Sequence, residues 1–255
     1  MIETLLLAAL GGALVGFLLS TFGGGGSVLA MPWLVYVAGV GDTHVAIGTS
    51  AAAVAVSAAF GLYAQARAGA VKWPCALVFG GAGIAGSLIG AYLAKQVDGQ
   101  VLLTWFALAM ATVAVSMALP KKHEGDPEVR LTPGMTMRLV PVGLVTGLAA
   151  GFFGIGGGFL IAPGLMAASG MTLANAAASS LVSVSLFGSA TSASYAVSGL
   201  VNWPLFGALV GGGLAGTWPG VVAARALASR AVFGRRLFAL LILVVAAAIF
   251  VTNSF

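Results

Sequence analysis

Between Arg138 and Arg225 the chain runs for 86 residues without an Asp, Glu, Lys or Arg, and between Glu3 and Asp42 it does so for another 38. About 20 apolar residues cross a bilayer, so each run is long enough for a crossing and the longer one for several. Only 7% of the 255 residues are charged and 60% are hydrophobic, against roughly 25% charged in soluble domains. This balance excludes a soluble enzyme, a nucleic-acid binder and a disulfide scaffold, and it specifies a polytopic α-helical membrane protein. Cys75 stands alone inside an apolar segment, where it offers neither a disulfide nor a CxxC metal or redox motif. The start Met1-Ile2-Glu3 lacks a basic n-region, so it reads as the beginning of a membrane segment and not as a cleaved signal.

Loop signals divide the chain into apolar segments at 4–22, 27–40, 45–66, 74–95 and 100–119, then 139–153, 158–169, 175–196, 204–224 and 236–252. The two sets of five are related by an internal repeat. At an offset of 131, Gly16, Phe22, Gly23, Gly25, Gly26 and Pro32 fall on Gly147, Phe153, Gly154, Gly156, Gly157 and Pro163. At an offset of 130, Gly69, Trp73, Pro74, Gly81, Gly83, Gly86 and Gly90 fall on Gly199, Trp203, Pro204, Gly211, Gly213, Gly216 and Gly220. On this alignment His44 is paired with Asn175 and Thr49 with Ser180.

Segments 27–40 and 158–169 are short for a crossing, and each follows a glycine cluster where a helix would break. Either each forms a re-entrant hairpin with the segment before it, or both are full crossings. In both cases a half contains an odd number of crossings, which inverts the second half relative to the first. Charge agrees with this parity: ten of the eleven basic residues fall on loops of one side and only Lys95 on the other. Four crossings per half would split them six to five. Lys and Arg are retained on the cytoplasmic side. The expected fold is therefore all-α, with two inverted-topology repeats, 1–119 and 139–255, joined by a cytoplasmic polar linker, 120–138. Its helices are broken by glycine into re-entrant or half helices, and both termini lie outside the bacterial cytoplasmic (inner) membrane.

Irregular backbone at membrane depth is tolerated only where protein buries it or where it lines a cavity, so the glycine clusters are the first candidates for a site. A helix start after each break would offer unpaired N–H groups and the positive end of the helix dipole, which suit an anion. Two such starts, brought together by an inverted repeat, would face one another. The candidate substrate-binding residues are Gly23, Gly24, Gly25, Gly26, Ser27 and Pro32 in the first half and Gly154, Gly156, Gly157, Gly158 and Pro163 in the second. Thr49, Ser50, Ser179, Ser180 and Ser183, with His44 and Asn175, could complete an uncharged shell around an oxyanion. The competing reading of each hydroxyl is a cap or an interhelical hydrogen bond. The scattered glycines Gly81, Gly83, Gly86 and Gly90 and their partners read as close helix packing. No P-loop ending follows either cluster, and no catalytic residue, metal ligand or cofactor is expected.

His44 is the only histidine outside the linker, and an imidazole can carry a proton near neutral pH. No Asp or Glu lies within an apolar segment, so a buried carboxylate relay is missing. Coupling to a proton or sodium must then use His44, the substrate's own protonation or backbone oxygens. Trp73 and Trp203 read as interfacial anchors. The arginines at 225, 230, 235 and 236 read as orientation charges.

The run Gly147-Leu148-Ala149-Ala150-Gly151-Phe152-Phe153-Gly154-Ile155-Gly156-Gly157-Gly158, followed by Ile161-Ala162-Pro163 and Ala178-Ser179-Ser180, resembles the duplicated signature of the TauE/SafE family of sulfite and organosulfonate permeases. The first half carries it as Phe22-Gly23-Gly24-Gly25-Gly26-Ser27, Met31-Pro32 and His44-Val45-Ala46-Ile47-Gly48-Thr49-Ser50. The resemblance implies secondary transport of sulfite or an organosulfonate, a small anionic substrate. Glycine at 24 and serine at 27, where the second half has Ile155 and Gly158, imply an asymmetric site.

The expected function is a secondary transporter of small sulfur-containing anions working by alternating access. The alternatives are a passive anion channel and a permease for another small oxyanion or organic acid. An intramembrane enzyme lacks a nucleophile–base set, and a membrane scaffold gains nothing from two broken helices. The expected partners are the anion, the lipid bilayer and a coupling ion, with no nucleic acid; assembly into a homo-oligomer is left open.

Overall fold

The computed structural model describes residues 2–118, 125–154, 158–228 and 231–254. Its helices are α1 (Ile2–Phe22), a 3-10 turn (Gly23–Leu29), α2 (Ala30–Pro32), a π-helical turn (Trp33–Val37), α3 (Thr43–Arg67), α4 (Trp73–Ala94), α5 (Gly99–Ala118), α6 (Pro133–Phe153), α7 (Gly158–Ser169), α8 (Leu173–Val197), α9 (Trp203–Ala228) and α10 (Ala231–Ser254). Among the described residues seven stretches are long and apolar enough to cross a membrane, which makes this a multi-pass membrane protein.

Capping residues set several helix starts. The Asp42 carboxylate accepts hydrogen bonds from the His44 and Val45 N–H groups at 2.8 and 3.3 Å. The hydroxyls of Thr132 and Thr172 accept from Met135 and Asn175, both at 3.3 Å. With Thr132 as cap and Pro133 in the first turn, a favoured position for proline, α6 begins six residues before the apolar segment expected at 139. Part of the expected linker is therefore helix.

The first 36-residue apolar stretch, Ile2–Val37, is not one rod. Gly23 has φ +69°, a left-handed conformation that costs other residues ~1–2 kcal/mol. Beyond it the chain returns along α1, with Gly26 against the backbone of Leu18 and Leu19 and Gly11 beneath the Trp33 ring. The Trp33 indole N–H donates to the Leu7 carbonyl at 2.8 Å. In the second half Gly154 has φ +66°, and α7 returns so that Gly164 faces Thr146 and Val142 of α6. Each glycine break thus closes a helical hairpin.

The halves match in conformation as well as sequence. Positive-φ glycines pair as Gly23 with Gly154, Gly39 with Gly170, and Gly69 with Gly199. The last two pairs lie at offsets of 131 and 130, and α3 and α8 share bounds at 130, so the deletion falls just before α3. This corrects the sequence alignment by one residue: His44 corresponds to Ala174, Thr49 to Ser179 and Ser50 to Ser180.

Helices α3 and α8 are the most enclosed spans and run antiparallel, with Gly48 against Tyr195, Gly188 against Ala55, and Gly61 against Leu181. Around them α1 lies parallel to α9 through Gly12 on Leu209 and Gly16 on Gly213. The same contacts recur with the halves exchanged, as Gly143 on Phe79 and Gly147 on Gly83 between α6 and α4. Glycine lets these backbones touch, which is how helices gain dispersion energy in lipid. Gly81 and Gly211 differ from the packing expectation, since each faces open space.

Candidate functional site

The two hairpins meet. A Cβ on Gly24 would lie 2.7 Å from the Gly158 Cα, and a Cβ on Gly158 would drive into the Gly24 carbonyl oxygen. Backbone therefore touches backbone across the two halves, where no side chain fits. The Gly24 N–H donates to Ser180 Oγ at 2.9 Å, and Ser180 donates to the Ala177 carbonyl at 2.7 Å. Ser27 donates to the Gly24 carbonyl at 2.7 Å. Gly23, Gly24, Gly25, Gly26, Ser27 and Ser180 are all buried. Gly23 abuts Ala177, and Gly25 abuts the ring of Phe238. Gly156 and Gly157 lie outside the described residues.

One expectation is altered here. The segment after the first break is not a regular α-helix: Gly23–Leu29 is a 3-10 turn, followed by one α-helical turn and a π-helical turn. Consecutive glycines are poor α-helix formers, and tight packing of Gly26 on α1 holds them in the narrower turn. Only the second break leads into a longer helix, α7. Pro32 and Pro163 both sit in the return limbs.

The other candidates divide by helix face. Thr49 Oγ1 accepts from the Asn202 N–H, and Ser179 Oγ from the Lys72 N–H, each at 2.9 Å. These are equivalent bonds in the two halves, tying α3 and α8 to the starts of α9 and α4. Ser50 donates to the Ile47 carbonyl at 3.1 Å. Ser183 lies toward Gly80 of α4, and its hydroxyl has no partner among the described residues. Asn175 sits at the start of α8 and donates through Nδ2 to the Pro127 carbonyl at 3.0 Å. His44 sits at the start of α3, its ring 6.4 Å from that of Tyr195. The structure thus brings Ser180 to the glycine junction and leaves His44, Thr49, Asn175, Ser179 and Ser183 in contacts away from it.

Sequence reasoning missed the aromatic residues. Phe22 stacks on Phe238 at 5.5 Å in the first half, and Phe153 meets Phe106 at 5.7 Å in the second. Beside Phe22 lies a narrow cleft of about 50 Å³, lined by Thr21, Ala177, Ala224, Leu227, Gly234 and Phe238; of these, Ala177 abuts Gly23 and Phe238 abuts Gly25. That volume holds a few waters. In register, Phe152 and Phe159 stand where the first half has Thr21 and Val28. Those rings pack on Phe153 and Phe106 at 5.3 and 5.8 Å. Among the described residues a cleft therefore borders the first hairpin, and a cluster of packed aromatic rings stands at the second. Among the described residues no group of three or more His, Cys, Asp or Glu side chains could hold a metal ion.

Comparison with known proteins agrees with this architecture. The family model described as sulfite exporter TauE/SafE matches residues 8–249. A probable membrane transporter protein of Xylella fastidiosa (strain Temecula1) is 41% identical over 250 residues, covering 96% of this chain and 94% of the relative. The probable membrane transporter protein YunE of Bacillus subtilis is 28% identical over 222 residues, covering 79% of this chain and 81% of the relative. No solved structure matches the chain.

Proposed function

The chain belongs to the sulfite exporter TauE/SafE family of membrane transporters, and on that premise we propose that it carries small sulfur oxyanions, sulfite or an organosulfonate, as a secondary transporter. The observation that carries this reading is the contact of Gly24 with Gly158. Two broken helices, one from each half, place bare backbone against bare backbone beside a bonded serine. Parting of the hairpins would free the Gly24 N–H and the Ser180 hydroxyl as donors to an oxyanion. Neutral donors bind an anion without trapping it as a fixed cation would, which suits a site that must also release.

The proposed mechanism is alternating access by two inverted repeats. Three features support it: equivalent helices α3 and α8 run antiparallel, the α1–α9 and α6–α4 contacts repeat with the halves exchanged, and among the described residues a cleft borders the first hairpin where packed rings stand at the second. The cleft lies at the ends of α1 and α9 and the start of α8, the side that carries ten of the eleven basic residues. By the positive-inside rule we read that side as cytoplasmic, with both termini outside a bacterial cytoplasmic membrane and the cleft on the inward face. An ion or substrate gradient drives the cycle, with a proton or sodium as coupling ion.

The substrate class is tested by uptake of radiolabelled sulfite into proteoliposomes under reducing conditions, with sulfite, sulfoacetate, taurine and sulfate as competitors. Competition by sulfite or sulfoacetate supports the assignment. Transport-competent vesicles in which none of these competes would remove it.

A further inference from the structure

Lys95 is the one basic residue outside the charged side, where the positive-inside rule gives no reason to keep it. Its ammonium is fully engaged. Nζ donates to the Ser194 carbonyl at 3.2 Å, to Ser194 Oγ at 3.1 Å and to Ser198 Oγ at 3.0 Å, and it lies 5.7 Å from the centre of the buried Tyr195 ring. Helix α8 has no basic residue in its own last turn, so Lys95 supplies from the other half the cation that a helix C-terminus favours. One side chain thus fastens the end of α4 to the end of α8.

The other face lacks this arrangement. In register, Lys95 corresponds to Arg225, but Ser194 and Ser198 correspond to Ala64 and Ala68, which have no hydroxyls. Ala224, the residue before Arg225, lines the open cleft. Its equivalent, Ala94, is fully buried beside Lys95.

We propose that Lys95 is a positioning residue for transport: a latch between α4 and α8 that holds the outer face shut and releases when that face opens. This rests on the alternating-access reading above. The latch acts at the ends of two helices and touches no proposed substrate-binding group.

The test measures a distance. On a Cys75→Ser background, spin labels at Gln96→Cys and Val197→Cys, both exposed positions, report the separation of the α4 and α8 ends in proteoliposomes by pulsed electron paramagnetic resonance. The latch predicts one short distance in the otherwise unaltered protein without anion, and a second, longer population when Lys95→Met is introduced. Lys95→Arg should restore the short distance. The pair Ser194→Ala and Ser198→Ala, which keeps the lysine and removes two acceptors, should shift the distribution as Lys95→Met does. If sulfite lengthens the distance in the labelled parent but neither Lys95→Met nor the serine pair changes it, the latch is wrong and alternating access stands. If neither sulfite nor any variant changes it, both are wrong.

Discussion

The carbonyl oxygen of Gly24 lies so close to Gly158 that even a methyl group on Gly158 would overlap it. This contact joins residues from different halves, and it makes the hairpin junction sensitive to the smallest side chain.

Gly158→Ala should therefore force the hairpins apart. Overpacking a tight core costs ~1–3 kcal/mol, and here the obstacle is backbone. Gly25→Ala meets the ring of Phe238 instead, a side chain that can move. Thermal unfolding in detergent should show a clearly larger drop for Gly158→Ala than for Gly25→Ala, and transport should fall in the same order. Equal effects would mean that the backbone contact does not govern the site.

Ser180→Ala leaves the buried Gly24 N–H without its acceptor. An unsatisfied buried donor costs ~1–3 kcal/mol, whereas Ser50, the equivalent residue, donates only to the Ile47 carbonyl of its own helix. Ser50→Ala should cost well under 1 kcal/mol, since such back-bonds add little to a helix. Denaturation midpoints of the two variants check this difference, which would vanish if Ser180 were merely another helix-bonded serine.

Thr21→Phe copies Phe152 into the cleft. A ring there should fill the space beside Phe22 and lower sulfite flux at least about tenfold, the factor that 1.4 kcal/mol on a barrier produces. Fluorescence-detected size exclusion should still show folded protein. Unchanged flux in that protein would show that the anion does not use this cleft.

Much of the fold was legible because its devices need particular residues. The hairpin bends require positive φ, which marked Gly23 and Gly154, and the Trp-Pro pairs mark the starts of α4 and α9. The site was legible only in part. Ser179, Ser180 and Ser183 look alike in sequence, yet one residue along a helix is a turn of about 100°. Ser180 consequently faces the hairpin, while Ser179 and Ser183 face α4. A one-residue deletion before α3 similarly paired Thr49 with the wrong serine, because the alignment had no fixed point between Pro32 and Gly69. Phe238 reaches Gly25 from the far end of the chain, and no local pattern announces such a contact. Lys95 was visible as the exception to the charge split, but its three acceptors were not.

In the proposed mechanism the two halves carry the anion by alternating access around the Gly24–Gly158 junction. Counterflow tests it most directly: proteoliposomes loaded with unlabelled sulfite are diluted into a trace of radiolabelled sulfite. A carrier predicts transient accumulation of label above its equilibrium level, saturable in the internal sulfite concentration and lost in Gly158→Ala. Label that only equilibrates, without overshoot, in vesicles that demonstrably conduct sulfite would mean a passive pathway and would contradict the account.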